Sequence, residues 1–404
     1  MDRVLVTGLG AVSALGLSVK DNLNALRMGV SGISERPSMV RTKLQLPVGE
    51  VLATGRELLG YLGLDEGRVM TRTALMAALA SAEAMADAGL GRNGASGVPS
   101  GRIGLILGTS VGGMDISGEF YEEYRVDHSA GDVRVMESHD CGASTAFVAE
   151  YLGLDGFATT ISTACSSAGN AIMLGARMIR AGLIDVAVVG GSDALSRFTM
   201  NGFNSLRILS SSPCRPFDAS RDGLNLGEGA GFLVLESERS ASGRGVEPYC
   251  AVSGWANVNE AFHQTASSAD GDGAFAAMTE AMRVAGVGKD EVDYINAHGT
   301  ATPGNDLSEG MAIRRIFGDD VPPFGSFKGY IGHTLAASEG IEAVFCALSI
   351  RGGELWPSPG FYSVDPGIGI APLVKYREGL QIRNILSNSF GFGGNDSSLV
   401  FSAV

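Results

Sequence analysis

Positive charge is scarce in this chain. Its 404 residues carry 30 Lys and Arg against 44 Asp and Glu, a formal net charge of -14. A general nucleic-acid binder needs the opposite balance, so that class is excluded, although a local basic patch for an acidic partner is not. Cysteine is sparse as well, with five residues at 141, 165, 214, 250 and 346 and no paired spacing. That argues against a disulfide framework and against a cysteine-type zinc site, and it fits a reducing compartment. Long apolar runs are missing: no segment approaches the ~20 residues needed to span a bilayer. The opening MDRVLVTGLGAVSALG has glycines inside its apolar run and an acid at position 2, unlike a signal peptide. The expected location is the cytoplasm, without a membrane or nucleic-acid partner.

Glycine and small apolar residues are abundant. With 58 Gly and 45% hydrophobic content, the chain can bury a large core and make tight turns between strands and helices. Strand-like runs alternate with helix-like ones. RIGLILGTS and DVAVVGGSDA read as strands, and TRTALMAALASAEAMADAGL and NAIMLGARMIRAGL as helices. The alternation predicts an α/β fold with largely parallel, buried sheets. VLVTGLGAVS near the start is faintly similar to CAVSGWANVN from position 250, which suggests a duplication. The charged ESERSASGRGVEP is the best boundary, giving halves of 1–250 and 251–404.

One cysteine stands out. In TTISTACSSAGNA, Cys165 sits where a β-branched run gives way to a small-residue helix. The positive end of a helix dipole favours a thiolate there. A lone cysteine is nevertheless more often a buried small hydrophobe than a nucleophile. Partners shift that balance. His298 lies in NAHGTATPGND after a strand-like run, and Lys328 and His333 lie in SFKGYIGHTLAASEG before an apolar helix. One thiol and two imidazoles at element ends suit acyl-thioester chemistry, in which imidazoles donate hydrogen bonds to a developing enolate or oxyanion. A metal site is the rival, but no spacing matches a ligand pair. The turn SFGFGGND is followed by a strand rather than a helix, so close backbone approach to a substrate suits it better than phosphate binding.

TACSSA, RPFDASRDGLNLGEGAGFLVLE, NAHGTATPGND, SFKGYIGH and NSFGFGGND occur in this order over essentially the whole chain. The chain thereby resembles the elongating, Cys-His-His β-ketoacyl-acyl carrier protein synthases of the thiolase superfamily. The resemblance implies a thiolase fold: two βαβαβαββ halves in a five-layer αβαβα arrangement, in a homodimer or a heterodimer. It implies decarboxylative Claisen condensation with malonyl-acyl carrier protein in fatty-acid elongation, with no cofactor, the substrates riding on the carrier's phosphopantetheine. A specialised polyketide or aryl polyene pathway is the alternative, and a non-catalytic chain-length-factor-like role a third. Carried over residue by residue, Cys165 is the nucleophile, with His298 and His333 on the enolate. Cys165 and Phe392 supply oxyanion-hole N–H groups, and Phe392 also gates the site. Lys328 is expected to pair with Glu309, and Thr300 and Thr302 to touch pantetheine. Arg68, Arg72 and Arg207 are expected to meet the acidic carrier. Asn296, Glu342, Ser387 and Asn388 match a monovalent cation site of some relatives.

The chain departs from that pattern in three places. GHTLAASEG puts Ser338 and Glu339 where relatives have small residues. The segment 133–145 is polar, with His139, Asp140, Cys141 and Ser144, and reads either as a solvated or interface segment or as part of a polar acyl pocket. Asp65 and Glu66 dilute the basic patch around Arg68 and Arg72.

Overall fold

The computed structural model describes residues 3–91 and 97–404. Among them a ten-stranded sheet runs through the molecule. Its strands in chain order are β1 (Val4–Val12), β2 (Ile103–Gly108), β3 (Ala158–Ile161), β4 (Val186–Asp193), β5 (Gly229–Ser237), β6 (Cys250–Asn259), β7 (Tyr294–Asn296), β8 (Phe324–Gly325), β9 (Asn384–Gly391) and β10 (Asn395–Ser402). The spatial order is β8-β7-β9-β10-β6-β1-β5-β4-β2-β3.

Read outward from the centre, both halves follow one pattern. β1 meets β5, then β4, β2 and β3; β6 meets β10, then β9, β7 and β8. In each half the two inner pairings are antiparallel and the two outer ones parallel. The sheet is therefore mixed rather than largely parallel. A three-residue, glycine-rich turn closes β9 onto β10 as a hairpin, and such a short link allows only antiparallel pairing. The halves meet where β1 pairs antiparallel with β6, Leu5 opposite Ala251 and Val6 opposite Cys250.

The VLVTGLG and CAVSGWA runs fill equivalent strands for a shared packing reason. A Cβ on Gly8 would lie 2.2 Å from the Ala84 carbonyl oxygen of helix α1 (Arg72–Asp87). One on Gly254 would lie 2.3 Å from the Ala281 carbonyl oxygen of a later helix, Asp272–Ala285. Only glycine lets strand and helix backbones approach that closely.

The helices complete the layers. α1 and α2 (Cys141–Leu152) cover one outer face, and α4 (Asp272–Ala285) and α5 (Pro303–Phe317) the other. Between the half-sheets lie α3 (Ser167–Arg180) and α6 (Ser338–Gly352), packed on each other and on strands of both halves. This is the five-layer αβαβα thiolase arrangement. α6 is buried along most of its length, so its two buried acids, Glu339 and Glu342, need partners inside the protein.

Candidate active site

The N termini of the two middle helices converge on one cavity. Cys165 precedes α3 by a tight turn, in which Ala164 takes a left-handed φ of 53°. A Cβ is strained there, and the surrounding hydroxyls hold the turn. Ser167 Oγ donates to the Ala164 carbonyl at 2.6 Å, and Ser166 Oγ donates to Asn395 Oδ1 at 2.7 Å. Ser389 Oγ on β9 donates to the Cys165 carbonyl at 2.9 Å. The thiol is buried, and loss of solvation pushes it up to about 11. The positive charge of Lys328 and the backbone N–H groups of Phe392 and Cys165 pull it back only in part. The expected thiolate is therefore absent at rest: desolvation outweighs the helix end.

His298 follows β7, and its backbone is pinned. Glu309 on α5 accepts from the His298 and Gly299 N–H groups at 2.9 Å each, and from Asn388 Nδ2 at 3.0 Å. Burial raises that carboxyl to about 7. His333 lies beyond β8, with the left-handed residue Leu335 just after it. Leu335 N–H donates to His333 Nδ1 at 3.1 Å, and Ser338 Oγ lies 3.0 Å from the same nitrogen. A backbone N–H can only donate, so Nδ1 is an acceptor and the proton of the neutral ring sits on Nε2. The two imidazoles meet edge to face with centroids 5.3 Å apart. Burial first, and then the charge of Lys328, hold both well below the usual imidazole range. They are neutral rings, able to donate without carrying charge.

Lys328 does not pair with Glu309. Its Nζ donates to Glu342 Oε1 on α6 at 2.7 Å, with both side chains buried. Glu309 is spent on the backbone of the His298 turn, whereas Glu342 comes up from the middle layer beneath Lys328. Asn296 Nδ2 contacts Glu342 Oε2 at 3.4 Å and donates to Ser387 Oγ at 2.9 Å. Asn388 instead turns to Glu309 and Ser398, so the four side chains matched to a cation site do not converge on one point.

A cavity of about 230 Å³ brings Cys165, His298, His333, Thr300, Thr302 and Phe392 together. It is also lined by Phe203, His263 and Asn305, which the sequence reading did not single out. Phe203 stacks on Phe392 with centroids 5.8 Å apart, and no local pattern in NGFNSLRIL announces that contact. Asp193 was likewise overlooked. It ends β4, accepts from Ser110 and Thr109, and accepts the Ala336 N–H at 2.8 Å, tying one half to the turn after His333. The segment 133–145 does not line the cavity. It folds as a 3₁₀ turn and the start of α2, with His139 Nδ1 2.9 Å from Ser117 Oγ. Arg72 is only partly exposed, and its guanidinium is engaged within the chain, bonded to Glu228 at 2.5 Å and capped on the Ala53 and Val51 carbonyls. Arg207 is exposed, and Arg68 is partly exposed over the Phe147 ring.

The comparisons agree with this geometry. Residues 1–241 match the family described as Beta-ketoacyl synthase, N-terminal domain, and residues 249–362 match Beta-ketoacyl synthase, C-terminal domain. The chain belongs to the β-ketoacyl synthase family. This synthase is 34% identical to 3-oxoacyl-[acyl-carrier-protein] synthase 2 of Staphylococcus aureus, over 99% of the chain and 98% of the relative. It is 33% identical to Nodulation protein E of Rhizobium meliloti, over 100% and 99%. Among solved structures, the ishigamide ketosynthase/chain length factor superposes with a TM-score of 0.91 at 30% identity, over 100% of the chain and 99% of the neighbour. A ketosynthase in complex with its chain length factor from Xenorhabdus doucetiae superposes at 0.84 and 32%, over 100% and 98%. The synthase is a condensing acyltransferase. Among its described residues no helix is long and apolar enough to cross a membrane.

Proposed function

We propose that the synthase extends acyl chains in fatty-acid elongation by decarboxylative Claisen condensation, with the acyl group held on Cys165 and malonyl-acyl carrier protein as the extender. One observation carries the assignment of roles: a thiol touched by the Phe392 N–H shares a cavity with two neutral imidazoles. In the first half-reaction Cys165 Sγ attacks the carbonyl of the carrier thioester, the C–S bond to the carrier breaks, and the carrier thiol leaves with the proton of Cys165. The N–H groups of Cys165 and Phe392 hold the oxyanion. In the second, malonyl thioester loses CO2 and its electron pair moves onto the thioester oxygen. The Nε2–H of His333 and the neutral imidazole of His298 donate to that enolate and stabilise it. Its carbon then attacks the Cys165 thioester, a C–C bond forms, and Cys165 leaves as thiolate to regain a proton from solvent. Lys328 acts electrostatically. Thr300 and Thr302 face the pantetheine arm, and Phe392 moves to admit the acyl chain.

The carrier binds at Arg68 and Arg207, with Arg72 withdrawn from that role. The functional unit is a dimer. Incubating the protein with acyl and malonyl carrier proteins tests the reading: intact mass shows an acyl adduct on the parent, and Cys165→Ala shows neither adduct nor product. Condensation by Cys165→Ala at the parental rate would overturn it.

The likeness to ketosynthases paired with chain length factors favours a second reading, in which the chain serves a specialised polyketide or polyene pathway within a heterodimer. A panel of saturated, polyenoyl and aryl-capped acyl carriers separates the two. Strong preference for long saturated chains by the isolated protein supports fatty-acid elongation. Activity only with polyenoyl or aryl chains, and only after a homologous partner is added, supports the second. Intact Cys165, His298 and His333 speak against a non-catalytic partner.

A further inference from the structure

Glu339 is a carboxyl group where the reaction has no use for one. It lies fully buried in the first turn of α6, three residues before Glu342. Lys328 is the ammonium group set against both, and it is bonded to Glu342. A second buried anion in that place is costly without a partner. Glu339 nevertheless has a built setting. Ser387 Oγ donates to its Oε1 at 2.8 Å. Its Oε2 is buried without a hydrogen-bond partner.

The setting leads to the nucleophile. Ser389 is the residue whose hydroxyl holds the Cys165 carbonyl, and β9 runs from Ser387 through Ser389 to the turn that carries Phe392. On the other side Glu339 presses against α3. A Cβ added at Gly169 would lie 3.1 Å from Glu339 Cγ, and Gly169 is four residues after Cys165, one helical turn below it. Glu339 thus sits between α3, which follows the Cys165 turn, and β9, which leads into the Phe392 turn.

We propose that Glu339 is a positioning residue for Cys165, a buried brace that fixes the start of α3 against β9 and so fixes the thiol against the Phe392 N–H. This inference rests on the functional reading above, since it assigns the brace to the nucleophile of that reaction. The brace works in its protonated form. Burial, and then the neighbouring charge of Glu342, raise the carboxyl to about 8, so it adds no net charge beneath the site at neutral pH. Gly169 is the matching concession on α3, because any larger residue there must push Glu339 or Ser397 aside.

The test is alkylation of Cys165 by iodoacetamide in the full-length protein, followed by mass spectrometry of the Cys165 peptide, alongside kcat and KM for condensation. Glu339→Ala is expected to slow alkylation and lower kcat about tenfold with KM nearly unchanged, since small displacements of a reacting group are costly. Glu339→Gln, which keeps shape and hydrogen bonding, is expected to restore most of both. Gly169→Ala is expected to impair the parent more than it impairs Glu339→Ala, the coupling expected of groups in contact. Folding of each variant is read from its thermal transition. Folded Glu339→Ala with parental alkylation and kcat overturns the proposal while leaving the functional reading intact, as does Gln behaving like Ala. Absence of an acyl adduct on Cys165 in the parent overturns the functional reading and the brace together.

Discussion

The two halves share one strand order and differ at the ends of their strands. In the first half, the turn after β3 delivers Cys165 to the start of α3. In the second, the equivalent turn after β8 delivers Lys328 and His333 ahead of α6. The turn after β7 delivers His298, while its counterpart after β2 places Thr109 and Ser110 on Asp193. A duplicated scaffold thus supplies two inward-pointing helix starts, and exchanged side chains give them unlike work. The first half contributes a nucleophile without charge, and the second contributes hydrogen-bond donors and a buried ion pair. Neither half holds a complete site.

Separating the two contributions is the largest effect to seek. Removing the thiol abolishes the acyl adduct. His298→Ala and His333→Ala are expected to leave Cys165 able to take an acyl group while cutting condensation about 10³-fold, the scale of a lost oxyanion donor. Adduct formation by intact mass and product formation by chromatography are read on the same samples. Loss of the adduct in the histidine variants would mean that the division of labour between the halves is wrong.

The next effect is on stability, and it is read in the second half. Lys328→Ala leaves Glu342 buried without its counter-charge, which costs about 3–5 kcal/mol. Chemical denaturation of parent and variant measures it. Lys328→Ala combined with Glu342→Ala is expected to recover part of the loss, because the orphaned anion is removed with its partner. If the double variant is less stable than the single one by the full cost of Glu342→Ala alone, the pair is not coupled.

A smaller effect separates the two middle helices by pH. The Glu339 carboxyl is raised from 4.5 to about 8. In the unfolded chain it ionises near 4.5, while in the fold it keeps its proton until about pH 8. Its stabilising share is therefore fully present below pH 4.5 and is lost as pH rises through about 8. The parent should lose Tm relative to Glu339→Gln between pH 5 and 8 by about 3 °C or more. A constant difference across that window would show that Glu339 is already ionised in the fold.

The sequence made the scaffold legible because duplication leaves a physical trace. Gly8 and Gly254 hold equivalent strand positions, since each admits a helix backbone that a Cβ would block. The site was legible at Cys165, His298 and His333 because each sits at an element end among glycines. What escaped was long-range and buried. Lys328 could be matched to either of two glutamates, and only the fold shows that Glu309 is occupied by the His298 and Gly299 N–H groups. Arg72 looked like a surface cation because it opens a helix after a charged loop, yet Glu228, far along the chain, draws it inside. Desolvation of Cys165 also lay beyond local reading, since the helix end is visible in the sequence and the absence of water is not.

The two arginines near that loop give the smallest contrast. Arg68 is partly exposed, with its guanidinium 5.1 Å from the Phe147 ring centroid and 4.0 Å from Glu150. Arg72 is held by Glu228 and two carbonyls. An exposed ion pair is worth little to the fold, so Arg68→Glu should leave Tm nearly unchanged. It should raise KM for the acidic carrier about threefold at low salt, with the difference fading as the Debye length shrinks. Arg72→Ala should do the reverse, lowering Tm because Glu228 is left buried and unpaired, with KM unmoved in the folded fraction. Carrier titrations at low and high salt, beside melting curves, read both. A salt-sensitive rise in KM for Arg72→Ala, with Tm unchanged, would return Arg72 to the docking surface and require the start of α1 to open when the carrier binds.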